Sequence, residues 1–257
     1  MLVLAKMKNI LARISNFPKD YLKEIEGIYA KCQSVNNILQ WFNSLNILSI
    51  SVASGKGSYR QVENLIFELK VINFIKSINP ECLITYEPRG KDKKGKSCDL
   101  LIEAQKKYLI ELKSFHPSRK CAPIPYDHIT ENNELIMDGY CYHDLQAVRG
   151  HLLDETLDTE KKIKNYEGKY INVMGLLLGY YLHLEDLRDF VTIYRKGHYR
   201  FDDPLGKMTL HNLKGNFKGF IDEFWCFPFI QVGFELQKGK KAVSVSLIQG
   251  NDREIEI

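Results

Sequence analysis

The sequence predicts an α/β protein whose central elements run α, β, β, β, α, β around a mixed sheet, with a helical extension before them and a β-hairpin region after them. Three observations predict it. An apolar stripe at helical spacing runs through Val62, Leu65, Leu69, Ile72 and Ile75; three short runs of β character follow at residues 82–86, 98–103 and 108–113; and a second helical stretch at 144–164 leads into the continuous apolar run 170–178.

The chain opens with helical spacing over residues 18–46, carried by Tyr21, Ile25, Ile28 and Tyr29 and then by Ile38, Leu39, Phe42 and Leu45, with Ser34 placed to cap the second helix. Apolar periodicity stops at residues 51–58, where Ser, Gly and Lys dominate. That break divides an N-terminal extension, 1–55, from a main domain, 56–257, with its core at 58–178 and a C-terminal structural extension at 179–257.

Ser58 and Gln61 form a capping box, in which each side chain satisfies a free backbone N–H at the helix start, so a helix is expected from Tyr59 to the Asn79-Pro80 stop. Glu68 lies within its apolar stripe. Residues 104–107 suit a tight connection between the second and third β runs. Beyond Lys113 the period is lost through Pro117, Pro123 and Pro125, as in a functional loop or an insertion. Farther on, 184–194 reads as helical, and 231–236 with 242–248 alternates around Lys238-Gly239-Lys240 as a hairpin. Phe220, Phe224, Trp225, Phe227 and Phe229 are expected in the core rather than stacked on bases.

At 257 residues, with 44% hydrophobic and 26% charged, the chain can bury one substantial core and is not of the disordered class. A net charge of +4 permits nucleic acid without announcing it. Position says more, because Arg89, Lys91, Lys93, Lys94 and Lys96 crowd one segment around a single Asp. Six cysteines without a C-x-x-C pair fit a reducing, cytoplasmic setting. The apolar N-terminus is broken by Lys6, Lys8 and Arg13, which argues against a signal peptide or a membrane span. His116, Cys121, His128, Cys141 and His143 lack the close ligand pairs of a structural zinc site and read as loop and helix-start residues.

Side chains two apart on a strand share a face, so Glu111 and Lys113 emerge together while Ile110 and Leu112 point the other way. Asp99 opens the preceding strand. A hairpin between the two then brings two carboxylates and an ammonium to one end of a sheet, and Glu68 can project toward them from the helix. Hydrolysis of a phosphodiester needs an activated water and relief of charge on phosphorus and on the leaving oxygen, which metal ions supply. Mg²⁺ prefers hard oxygen ligands and takes one or two carboxylates, the role that Asp99 and Glu111 suit; Lys113 can orient water or offset charge. The E-x-K tripeptide alone carries little, since Glu68-Leu69-Lys70, Glu160-Lys161-Lys162 and Glu167-Gly168-Lys169 also match it. Context separates Glu111 to Lys113 from the other three: an apolar strand, a partner strand headed by Asp, and a preceding helix with Glu on its inner stripe.

With Asp99, Glu111-Leu112-Lys113 and upstream Glu68, about half of the chain resembles the PD-(D/E)xK, or restriction-endonuclease-like, nuclease superfamily. The resemblance implies an αβββαβ core, Asp99 and Glu111 as metal ligands, Lys113 as the catalytic lysine and Glu68 as the acidic residue of the first core helix. Cys98 stands where the family often has Pro. Glu63 competes with Glu68 for the helix position but lies off the main stripe. Gln146 is followed four residues later by Gly150 rather than Tyr, so the exonuclease-type pattern is incomplete. The expected activity is Mg²⁺-dependent (Mn²⁺ as a substitute) hydrolysis of nucleic acid, DNA ahead of RNA, by an endonuclease, with a homodimer an admissible assembly. The alternative is a catalytically inactive nuclease fold that binds nucleic acid or serves as a scaffold.

Overall fold

The computed structural model describes residues 19–57, 59–91, 97–114, 142–177, 187, 188, 190, 191, 194, 219–227, 243–246 and 252–254. Its first helices are α1, Lys19–Lys31, and α2, Ile38–Ala53. They bury Leu22, Ile25 and Tyr29 from α1 and Ile38, Trp41, Phe42 and Leu45 from α2, each set at helical spacing. Both pack on α3, Tyr59–Ile78. Trp41 donates its indole N–H to the Leu65 carbonyl at 2.7 Å, so the largest buried side chain also has its polar atom satisfied.

The start of α3 and the Asn79 stop agree with the sequence reading. All five stripe residues are buried, and so are Ile66, Phe67 and Val71 off the stripe, because α3 lies between the other two helices and the sheet. The start of α2 does not agree. Ser34 is not its cap; Asn37 precedes it in the left-handed region, φ 65°. The preceding residue Asn36 pairs its backbone with the sheet, donating to Ile84 O and accepting from Tyr86 N, both at 2.9 Å, so the chain is extended there and cannot yet turn helical. The same helix runs past the expected break at 51 to Ala53, where Gly55, φ 72°, closes it with a bond to Val52 O.

The sheet holds β1, Leu83–Tyr86; β2, Leu100–Glu103; β3, Lys107–Ser114; β4, Ile171–Leu177; β5, Glu223–Cys226; β6, Val243–Ser246; and β7, Asp252–Glu254. They lie side by side in sequence order. The pairs β3–β4 and β4–β5 are parallel and the rest antiparallel, which makes the sheet mixed as expected. Helix α4, Tyr142–Ile163, connects the parallel strands β3 and β4. Residues 231–236 of the expected hairpin lie outside the described residues; residues 243–246 pair antiparallel with β5 on one side and with β7 on the other. The sheet therefore continues through the C-terminal part of the chain rather than ending near 178.

Both faces of the sheet are apolar, as a three-layer α/β arrangement requires. Tyr108, Ile110, Leu112, Val173, Trp225 and Phe227 join the core with α1, α2 and α3. Leu109, Met174, Leu176, Phe224 and Cys226 join a second core with Leu152 and Ile163 of α4 and with helical Leu187, Phe190, Val191 and Tyr194. Cys32, Cys82, Cys98 and Cys226 are buried free thiols. Among the described residues no helix is long and apolar enough to cross a membrane.

Gly175 sits opposite Leu112 in the β3–β4 ladder. A Cβ there would lie 2.5 Å from Leu112 Cδ2 and 3.2 Å from Phe227 Cε2, whose ring is packed edge-on against Phe67 and Phe74 of α3. Gly175→Ala is expected to destabilise the protein by about 1–3 kcal/mol, the usual range for overpacking a core. Chemical denaturation tests it, and a loss below about 0.5 kcal/mol would mean that Leu112 can yield.

Candidate active site

Strand β3 carries Glu111 into the sheet with only 1% of its surface exposed. The charged face of this strand therefore does not meet water at Glu111. Glu111 projects to the same side as Leu109, toward α4, while Ile110 and Leu112 enter the opposite core. A carboxylate so placed must find cations or donors, because an unpaired buried charge is costly by several kcal/mol.

It finds two. Its Oε1 accepts from Lys113 Nζ at 3.0 Å and from Lys162 Nζ, which arrives from the last turn of α4. Glu111 Oε2 is buried and has no hydrogen-bond partner among the described residues. Lys113 is also bound by Glu155 Oε2 at 2.5 Å and lies 3.6 Å from Asp158 Oδ2, both on α4. Burial alone would pull both ammoniums below their ordinary values. Glu111 with Glu155 outweighs it for Lys113, and Glu111 with Asp99 for Lys162, so both are held above.

Asp99 is fixed at three points. Its N–H bonds Ile110 O at 3.0 Å, its carbonyl accepts from Glu87 N at 2.8 Å, and its Oδ2 accepts from Leu112 N at 2.6 Å. The third bond ties the Asp99 carboxylate to the backbone next to Glu111. Glu87 makes its part of this turn in the left-handed region, φ 44°, an unusual conformation for a non-glycine residue. Glu68 reaches the same place from α3 and accepts from Tyr86 Oη at 2.7 Å, at the end of β1.

The three carboxylates sense one another. Burial, then the charges of Glu111 and Glu68, hold the Asp99 carboxyl well above the usual range. Burial raises Glu68 to about 8; Glu87 and Glu111 add to the rise, against the Tyr86 hydrogen bond and Lys162. The four residues expected from the sequence, Glu68, Asp99, Glu111 and Lys113, thus converge. Among the charges that raise Asp99 is that of Glu68 on α3.

Of the basic segment, Arg89 and Lys91 are exposed, and Lys91 pairs with Glu167. Lys93, Lys94 and Lys96 lie outside the described residues, as do His116, Cys121, His128 and Cys141, read from the sequence as loop and helix-start residues. Where the basic segment is described, it is tied to the chain just after α4. Tyr166 Oη donates to Pro88 O at 2.6 Å and accepts from Cys98 N at 2.8 Å, and Lys91 N bonds Asn165 O at 2.8 Å.

Sequence reasoning missed Lys162, Glu155 and Asp158. Their signal was present as a charged i, i+3, i+7 stripe on the helix after β3. It was obscured because Glu160-Lys161-Lys162 matches the tripeptide dismissed as a chance occurrence.

The donor set suits a hard divalent cation. Asp99 and Glu111 offer carboxylate oxygens, and Glu111 Oε2 is a buried acceptor without a partner. Among the described residues no three His, Cys, Asp or Glu side chains form a ready-made metal cage, so an ion here would complete its shell from water or substrate, as Mg²⁺ commonly does. Fold and site together define an α/β protein with a buried carboxylate–lysine cluster at one end of a mixed sheet. Comparison with known proteins finds no matching family model, no matching curated protein and no matching solved structure.

The raised Glu68 carboxyl makes stability depend on pH. Between its ordinary value of 4.5 and its folded value of about 8 the folded state binds more protons than the unfolded state, so stability falls as pH rises through that window. In EDTA, Tm is expected to decline from about pH 5 to about pH 8. Glu68→Gln, which still accepts from Tyr86 but cannot ionise, flattens the decline. Equal slopes in both proteins would contradict the raised value.

Proposed function

We infer that the chain is a Mg²⁺- or Mn²⁺-dependent nuclease of the PD-(D/E)xK, restriction-endonuclease-like class, acting as an endonuclease on DNA. The observation that carries this reading is the meeting of Asp99 and Glu111 across the β2–β3 hairpin, with Lys113 on the second carboxylate and an unpartnered Glu111 oxygen left over. The element sequence α3, β1, β2, β3, α4, β4 on a mixed sheet is the order that the class has, which supports it further.

A divalent ion held by Asp99 and Glu111 would supply positive charge at the phosphate and a more acidic bound water. The chain's own residues do the rest. Leu112 N–H and the Glu87 and Ile110 backbones hold Asp99 in place; Lys113 holds Glu111 in place; Tyr86 fixes Glu68 at the rim. The basic segment from Arg89 onward leads a polyanion past the site by attraction that weakens with salt.

Plasmid DNA is expected to be cut in Mg²⁺ or Mn²⁺ and left intact in EDTA. Asp99→Ala, Glu111→Ala and Lys113→Ala are each expected to slow cutting by at least about 100-fold, the scale of losing a group that assists proton transfer or charge development. Cutting that survives all three changes rejects the assignment. Salt-dependent DNA binding without turnover in either metal would favour the inactive-scaffold reading instead.

A further inference from the structure

The site contains two lysines in different situations. Lys113 has three carboxylate oxygens around its ammonium, from Glu111, Glu155 and Asp158, as many as it has N–H donors. It is locked between β3 and α4. Lys162, one turn beyond Asp158 on the same face of α4, bonds Glu111 Oε1 and, among the described residues, no second carboxylate. Its ammonium therefore meets the same Glu111 oxygen that Lys113 engages, but without the α4 carboxylates that hold Lys113.

The chain around Lys162 points the same way. Asn165 and Tyr166, three and four residues on, hold both limbs of the basic segment through Lys91 N, Pro88 O and Cys98 N. A strand that follows that segment to Asp99 must pass the end of α4 where Lys162 emerges. Because Glu111 Oε2 is the oxygen without a partner, a cation can engage Glu111 while Lys162 remains in the pocket.

We propose that Lys162 is the catalytic lysine that contacts the scissile phosphate, and that Lys113 is a positioning residue that clamps Glu111 to α4. The proposal rests on the nuclease reading. In the reaction, water adds to phosphorus, the bond from phosphorus to the leaving sugar oxygen breaks, and one proton from water is released as the other reaches the alcohol product through solvent. Lys162 keeps its protons throughout and offsets charge on a non-bridging oxygen. It thereby separates two roles that the sequence assigned to a single residue, Lys113.

The experiment compares Lys162→Met, Lys162→Arg, Lys113→Met and Lys161→Met, the last an exposed neighbour as control. DNA binding is measured against KCl with Ca²⁺ replacing Mn²⁺, and single-turnover cutting with Mn²⁺. Each lysine–phosphate contact contributes about 0.9 to the slope of log affinity against log salt. Lys162→Met is expected to lower that slope by about 0.9 and to slow cutting by at least about 100-fold. Lys162→Arg keeps the slope and restores part of the rate. Lys113→Met slows cutting with the slope unchanged, and Lys161→Met leaves both as in the unaltered protein. Melting curves identify any variant that fails to fold; should Lys162→Met do so, Lys162→Gln takes its place. An unchanged slope for Lys162→Met (or Lys162→Gln where it takes its place), or cutting by that variant within about threefold of the unaltered protein, overturns the proposal while the nuclease reading stands. Absence of cutting by the unaltered protein rejects that reading and this role with it.

Discussion

Glu111 is a carboxylate in the middle of a strand, almost fully removed from water, and nearly everything near it can be understood as a response to that charge. The desolvation of such a group amounts to several kcal/mol and is recovered only through well-placed partners. Lys113 comes from its own strand two residues on, and Lys162 from a helix separated by a long stretch of chain. The second partner is available only if α4 lies across β3 with its Glu155, Asp158 and Lys162 face inward. The pairing at Glu111 therefore constrains tertiary placement as well as local charge.

Other contacts hold α4 in that position from its opposite face. Glu160 is buried and accepts from Tyr194 Oη at 2.6 Å and from the Gly219 and Phe220 N–H groups at 2.8 and 3.3 Å, and Tyr194 Oη accepts in turn from Ile221 N at 3.0 Å. One face of the helix thus faces the carboxylate cluster while the other fastens the segment leading into β5. On the far side of the sheet, Leu112 fits against Gly175, which sets how closely β3 and β4 pack beside Glu111 and Lys113. Small packing choices on the apolar face set the position of charges on the polar one.

Much of this was legible in the sequence, and for a physical reason. Period-2 and period-3.6 patterns report which face of an element is buried, so the inward stripe of α3 and the division of Glu111 and Lys113 from Ile110 and Leu112 could be read directly. Their convergence required only a hairpin, a local feature. What escaped depended on distant pairing. Asn36 joins β1 across the fold, which delays α2 to Ile38 in a way that no nearby residue signals. The pairing of β6 with β5 and β7 joins it to the same sheet as β3 and β4, a continuation that no local pattern in the sequence signals. Lys162 was hidden for the same reason: its importance comes from Glu111, which approaches it only when α4 crosses the sheet.

The charge balance of the site poses a constraint of its own. Glu68, Asp99, Glu111, Glu155 and Asp158 gather around Lys113 and Lys162, and the elevated Glu68 and Asp99 carboxyls express the resulting crowding of negative charge. A phosphate backbone approaching such a pocket is repelled unless positive charge is present first. Lys113 cannot provide it, being fully engaged by carboxylates. Of the basic segment, the described Arg89 and Lys91 are exposed, and Lys91 is paired with Glu167. Within the pocket the available positive charge is Lys162 together with whatever cation the free Glu111 oxygen accepts. On the nuclease reading, a site built this way would bind a polyanion productively only when cation and lysine act together, and the same excess of carboxylates would underlie both metal dependence and the placement of α4.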